Sequence, residues 1–367
     1  MTSERLSRLI ALMHAASLDA VALNPSPSLV YLTGLHFHLS ERPTTLIIAP
    51  PHSPVLIVPE LEMDKTRQSN LPLQLIPFGD NPVEWEQAFH SAAEACRLSG
   101  KTVGVEPTRF RFLEWQFLSQ SARDLRLVSA EPALGVLRLR KDEHELAAMR
   151  QAVQIAERAF EQILPLIKPG ITERELAAEL TVALLRNGSA PELPFAPIVA
   201  FGANSANPHA VPGDTPLKKG DLVLFDWGAS YNDYFSDITR TLAMGEPGEE
   251  LRQIYTVVQQ ANQHGRAAGR AGVPAGSIDR AARQVIEQAG YGNYFIHRTG
   301  HGLGMESHEP PYLYAENPLY LESGMVYTVE PGIYLPGKGG VRIEDDVVVT
   351  ADGCQSLTSL PRDLIIL

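Results

Sequence analysis

Apolar residues in the first third of the chain gather in short runs separated by Pro, Gly or Asn. AVAL (20–23), TLIIAP (45–50), PVLIVPE (54–60), LQLIPF (73–78) and KTVGVE (101–106) each read as a strand. Stretches 82–98 and 109–121 read as helices. At the N-terminus Leu6, Leu9, Ile10 and Met13 fall on one helical stripe, while Glu4, Arg5 and Arg8 break any continuous apolar core. That pattern predicts an amphipathic surface helix rather than a leader. A mixed α/β domain around a central sheet follows.

The texture changes near Glu131-Pro132, which divides the chain into a domain over 1–131 and a second over 132–367. From Lys141 to Lys168, Leu146, Met149, Val153, Ala156, Phe160, Ile163 and Ile167 form a long stripe, and Pro169-Gly170 supplies the stop. A second helix over 172–187 and a strand in FAPIVAF (195–201) follow. Long helices over about 248–271 and 276–289 then alternate with antiparallel strands, so the second domain is α+β.

Two predicted hairpins carry an electrostatic oddity. In DLVLFDWGASYNDYFSDITRTL (221–242), a turn centred between Tyr231 and Asn232 sets Asp226 across from Asp237. In MVYTVEPGIYLPGKGGVRIEDDVVV (325–349), a turn centred on Gly337 sets Glu330 across from Glu344, with Arg342 two residues away on the same face. Like charges opposed on apolar strands are destabilising, so each pair is either misread in register or holds a cation, and two such pairs in one domain point to metal. Asp345 and Asp346, beside Glu344, read instead as a solvated acidic run.

Composition limits what such a cation serves. The net charge of −12 leaves no electrostatic footprint for nucleic acid, and no polybasic patch or long apolar span suggests a membrane. Two cysteines, Cys96 and Cys354, give neither a disulfide framework nor a CxxC motif, as expected of a soluble cytoplasmic protein. HRTGHGLGMESHEPP (297–311) then adds histidines on a glycine-rich backbone that can pass close to a site without side-chain obstruction. Two Asp, two Glu and one His balance about two divalent cations, and carboxylate with imidazole suits Mn²⁺, Co²⁺, Zn²⁺ or Fe²⁺. Such a pair, ~3.5–4 Å apart, clamps the developing oxyanion of a hydrolysis.

NPHAVP (207–212), FDWGASYNDYFSDITRT (225–241), HRTGHGLGMESHEPP (297–311), VEPGIY (329–334) and VRIEDDVVVT (341–350) together resemble the M24 metallopeptidases of the pita-bread fold. The branch they resemble contains the Xaa-Pro dipeptidases (prolidases) and aminopeptidase P. The first domain, including Tyr31-Leu32-Thr33-Gly34, is similar to the creatinase-type N-terminal domain of that branch. The resemblance implies Asp226, Asp237, His301, Glu330 and Glu344 as ligands of two divalent ions, Mn²⁺ foremost, with Asp237 and Glu344 bridging. It implies Glu330 as general base, His308 as stabiliser of the tetrahedral intermediate, and His209 near the C-terminal side of the substrate. His297 would line the proline pocket, while Tyr334 and Arg342 would orient carboxylates and help receive the substrate's carboxylate. His38 and Arg42 would close the pocket across a homodimer. The implied activity is an Xaa-Pro dipeptidase acting through a hydroxide held by two metals. Aminopeptidase P and a dipeptidase without strict proline preference are the alternatives; a non-catalytic binding module is disfavoured because all five ligand positions are filled.

Overall fold

The computed structural model describes residues 2–367, and the chain divides into two units, Met1–Arg138 and Leu139–Leu367. The texture change at Glu131-Pro132 is the start of a helix that stays with the first unit, so the division falls at Arg138.

In the first unit the apolar runs become β1 (Ala20–Leu23), β2 (Thr45–Ile48), β3 (Val55–Pro59), β4 (Gln74–Phe78) and β5 (Thr102–Val105), joined by β6 (Arg126–Ser129). Among the described residues they form a mixed six-stranded sheet in the order β4-β3-β2-β1-β5-β6. The helices are α1 (Thr2–Ala15), α2 (Pro27–Thr33), α3 (Met63–Thr66), α4 (Val83–Ala95), α5 (Phe112–Ser121) and α6 (Glu131–Leu137). Phe89 and Ala92 of α4 and Leu118 of α5 share a core with Ala20, Ile47, Ile57 and Val103 of the sheet. The sequence pattern misses α2 and β6. Helix α2 is set by local chemistry: Ser26 accepts from Leu29 N, Pro27 opens the first turn, and Gly34 closes it at φ 72°. Strand β6 is half-exposed and carries no continuous apolar run.

In the second unit, α7 (Glu143–Ile163) and α8 (Glu173–Arg186) each begin with a capping box, Asp142 with Glu145 and Thr172 with Glu175. Further along run α9 (Glu249–Ala268) and α10 (Gly276–Gln288). The strands are β7 (Ile198–Phe201), β8 (Leu222–Trp227), β9 (Ser230–Tyr231), β10 (Tyr234–Phe235), β11 (Ile238–Ala243), β12 (Gly300–Gly302), β13 (Glu309–Leu313), β14 (Val326–Val329), β15 (Gly332–Leu335), β16 (Gly339–Arg342), β17 (Asp345–Val349) and β18 (Cys354–Ser356). One sheet runs β11-β8-β7, another β13-β12-β14-β17-β18, and β15 pairs with β16.

Strand alternation sorts these residues between core and site. Val223, Phe225 and Trp227 of β8, with Ile238 and Leu242 of β11, pack on Val153, Ala156 and Phe160 of α7 and on Leu180 of α8. Leu222 and Ala243, of the opposite parity, pack instead with Ile254 and Val258 of α9 and with Val341 of β16. Asp226, Asp237 and Thr239 share that second parity, so burying the first face on α7 and α8 turns all three toward the other half of the unit.

Trp227 anchors this arrangement: its ring stacks on Phe160 at 4.5 Å between centroids, and its Nε1 donates to Ala156 O at 3.0 Å. Trp227→Ala should destabilise the protein by about 3–5 kcal/mol in urea unfolding. Val211→Ala, at a position 82% exposed, should stay within about 0.5 kcal/mol of the parent.

Candidate metal centre

The turn of the first hairpin lies one residue later than the sequence pattern suggests. Asn232 and Asp233 occupy it with φ of 47° and 69°, as a two-residue hairpin turn requires, and Tyr231 pairs with Tyr234. Asn and Asp tolerate left-handed backbone better than Tyr231 does. Asp226 therefore stands across from Thr239 rather than Asp237. The pairing moves by two residues, an even number, so both aspartates keep the same face.

In the second hairpin Gly337 takes the turn at φ 76° and the expected register holds: Gly332 pairs with Arg342, and Val329 with Asp345. Each long strand is broken, however, where the glutamates fall. Glu330 N donates to Thr299 O at 2.8 Å, and Glu344 N donates to Thr239 O at 3.1 Å. The two acids sit where the backbone changes partners, which turns them toward β11 and β12.

His301 arrives on β12. Gly300 and Gly302 flank it because a Cβ at either would meet backbone oxygen, Thr328 O at 2.0 Å and Pro310 O at 2.1 Å. Tight strand contact, rather than clearance around the site, is what demands glycine there. The His301 Nδ1–H donates to Gly302 O at 3.1 Å, leaving Nε2 at 3.3 Å from Glu330 Oε1 and 3.8 Å from Asp237 Oδ2. Ligand atoms of Asp237, His301 and Glu344 all lie within 4.8 Å of one another.

Arg342 organises the remaining partners. It is 3% exposed and donates from Nη2 to Asp226 Oδ2 at 2.6 Å, from Nε to Thr239 Oγ1 at 3.0 Å and from Nη1 to the Tyr334 hydroxyl at 2.9 Å. Thr239 Oγ1 donates in turn to Glu344 Oε2 at 2.6 Å. The Tyr334 hydroxyl donates to His297 Nε2 at 2.8 Å, and His297 Nδ1–H donates to Arg298 O at 2.7 Å. Three of the five guanidinium N–H groups of Arg342 thus hold the protein's own groups, as expected of a residue that orients carboxylates. Tyr334 and His297 belong to the same chain of bonds, which fixes the orientation of Asp226.

His308 and His209 remain exposed, with the His308 ring 3.9 Å from that of His301. Glu309, next to His308, is buried in an ion pair with Lys141 at 2.7 Å, a constraint spanning 168 residues that no local pattern reveals. His38 and Arg42 lie in the first unit, where Arg42 is engaged by Asp80 and Glu41.

The solvated reading of Asp345 and Asp346 is wrong, because both are fully buried. Asp345 points away from the cluster to Arg240 (2.9 Å), Arg362 (2.7 Å), Asn262 (3.0 Å) and Thr358 (2.7 Å). Asp346, on the face of Glu344, accepts from Asp237 N at 3.1 Å. Thr239 was missed as well; its place two residues beyond Asp237 on one strand face was the available signal.

Burial and the other carboxylates push Asp237 and Glu344 well above the usual range, and burial raises Asp226 despite Arg342 beside it. Burial acts on Glu330 too, but the hydrogen bond and charge of His301 bring it down to about 2. Burial and the neighbouring His301 lower His308 to about 4. Asp226 Oδ1 is buried without a hydrogen-bond partner. Clustered buried acids, an imidazole nitrogen turned into them and an orphaned carboxylate oxygen fit a divalent-cation site of the oxygen-rich kind.

Residues 147–351 match the metallopeptidase family M24, and residues 5–140 match the creatinase/prolidase N-terminal domain. An Xaa-Pro dipeptidase of Pyrococcus horikoshii is 35% identical over 365 residues, covering 99% of each chain. The solved Xaa-Pro dipeptidase of Bacillus anthracis superposes with a TM-score of 0.92 at 33% identity, covering all of both chains. The X-Pro aminopeptidase of Thermotoga maritima gives 0.84 at 31%, covering 97% of this chain and 100% of that one. The chain belongs to the M24 metallopeptidases, with a creatinase-type N-terminal domain ahead of a pita-bread catalytic domain.

Raised carboxylates fix the sign of a pH effect. Where the folded pKa lies above the unfolded one, the folded state binds more protons, and stability falls as pH rises. His297 and His308 are lowered and act in the opposite direction, but only below their ordinary value of 6.5. Over the range in which the folded acids still hold protons that the unfolded chain has released, the metal-free protein should therefore lose stability with rising pH, and saturating Mn²⁺ should flatten the slope. Urea midpoints from pH 5 to about 8.5, with and without metal, measure this; equal slopes would contradict it.

Proposed function

We propose that this metallopeptidase hydrolyses Xaa-Pro dipeptides, with Asp226, Asp237, His301, Glu330 and Glu344 holding two divalent cations, Mn²⁺ first among them. The observation that carries the reading is the convergence of these five side chains on one buried space, with an Asp226 oxygen left unpartnered. The full-length likeness to dipeptidases supports the substrate class. The cations, when bound, polarise the scissile carbonyl and acidify water.

The chain's own groups divide the remaining work. Asp237 and Glu344, both raised well above the ordinary carboxylate value, would ligate the cations, whose charge would offset their repulsion. Arg342 holds one oxygen of Asp226 and leaves the other free. Glu330 stays ionised at neutral pH, the state in which a base accepts a proton from attacking water. His308 is neutral at that pH, and its N–H can donate to the carbonyl oxygen as charge develops. A bond to proline is a tertiary amide without an N–H, so recognition cannot use that hydrogen and falls to the carbonyl and the two termini of the dipeptide. The proline nitrogen takes up a proton as it leaves.

Metal-free protein reloaded with Mn²⁺, Co²⁺ or Zn²⁺ should cleave Ala-Pro, with Ala-Pro-Ala and Ala-Tyr much poorer. Asp237→Asn should abolish turnover, and His308→Ala should lower kcat by about 10²–10³-fold. Preference for Ala-Pro-Ala would make the enzyme an aminopeptidase like the Thermotoga maritima neighbour. Comparable turnover of Ala-Tyr would remove the proline requirement.

A further inference from the structure

Arg342 is 3% exposed, spends its charge on Asp226 and has three of its five N–H groups engaged by the protein, and Lys141 is paired with Glu309. The free carboxylate of a dipeptide therefore needs another cation. We propose that Arg298, resting on the Tyr312 ring beside the metal-binding face, receives that carboxylate and makes the enzyme select dipeptides over longer peptides. This rests on the dipeptidase reading above.

The placement follows from strand pairing. His301 of β12 stands directly across from Tyr312 of β13. Directly opposed residues of an antiparallel pair project to the same face, so the Tyr312 ring shares the face of the imidazole that points at Glu330 and Asp237. The Arg298 guanidinium carbon lies 4.6 Å from the centre of that ring. Arg298 is half-buried, and among the described residues it forms no hydrogen bond or ion pair to a carboxylate from its side chain.

The chemistry of the ligand fits that place. Three backbone bonds separate the scissile carbonyl carbon from the proline carboxylate, so the two are within about 4 Å. A receiver must therefore lie close to the metal-binding face, as Arg298 does on the ring that stands across from His301. Stacking on an aromatic ring occupies the face of a guanidinium and leaves its edge for a two-point contact with a carboxylate. In a longer peptide the same position is a neutral amide, which cannot accept such a pair of charge-assisted bonds.

The test compares Ala-Pro with Ala-Pro-amide on the Mn²⁺-loaded protein. The parent enzyme should favour Ala-Pro in kcat/KM by on the order of 10–100-fold, the range of a charge-assisted bond. Arg298→Ala should erase that preference by losing Ala-Pro activity while cleaving the amide at the parent rate, and Arg298→Lys should restore part of it. Retention of the parent ratio in Arg298→Ala would overturn the assignment. Binding of L-proline against L-prolinamide by calorimetry reads the same contact without turnover. The parent should prefer proline about tenfold or more and Arg298→Ala should not; equal preference in both proteins also counts against the assignment. If proline is preferred through Arg298 but Ala-Pro is not cleaved, the dipeptidase reading fails and the carboxylate site stands.

Discussion

Four carboxylates share one buried space, and a single guanidinium reaches two of them. Arg342 touches Asp226 directly and Glu344 through Thr239, while Asp237 and Glu330 have the His301 imidazole beside them at 3.8 and 3.3 Å. Removing so much like charge from water is unfavourable unless further positive charge joins it. Metal dependence is thus a property of the folded chain's electrostatics as well as of its chemistry. The pH behaviour, the immobility of Arg342 and the need for a separate substrate cation all descend from that constraint.

The fold meets the constraint by keeping two faces of each strand strictly apart. On β8 and β11, one parity buries Phe225, Trp227 and Ile238 under α7 and α8, and the other presents Asp226 and Thr239 to the site. On β17, Asp345 is turned to Arg240, Asn262 and Arg362, while Asp346 lies on the face of Glu344. Three successive acids therefore have two distinct environments. The Asp345 network ties the backbone that carries Glu344 to α9 and to the C-terminal segment, so the position of that ligand is held from behind as well as from the front.

Substrate discrimination follows from how the cations are distributed. A buried arginine, its charge paired with Asp226 and three of its five N–H groups engaged, orients the acids of the site and has less capacity left for a ligand. Arg298, with its guanidinium on Tyr312 and half-buried, has that capacity. Two arginines near the same centre thus differ in setting rather than in residue type, one buried against an acid and the other half-buried on a ring.

The sequence by itself determined the elements and the ligand types. Short apolar runs became five of the six strands of the first unit, a helical stripe stopped by Pro169-Gly170 became α7, and opposed acids in apolar strands announced a cation. Because strand parity survives a two-residue shift, misplacing the turn at Asn232-Asp233 left Asp226 and Asp237 on the correct face. Tertiary structure alone decided what each charged group is bonded to. Arg342 reaches Asp226 from 116 positions away, Lys141 holds Glu309 from 168 away, and Asp345 is buried by partners on several elements. Periodicity reports which face a side chain takes, since that is a local property of the backbone. Whether a charge on that face meets water, a counter-ion or a ligand depends on chain brought from elsewhere, and no short stretch of sequence encodes it.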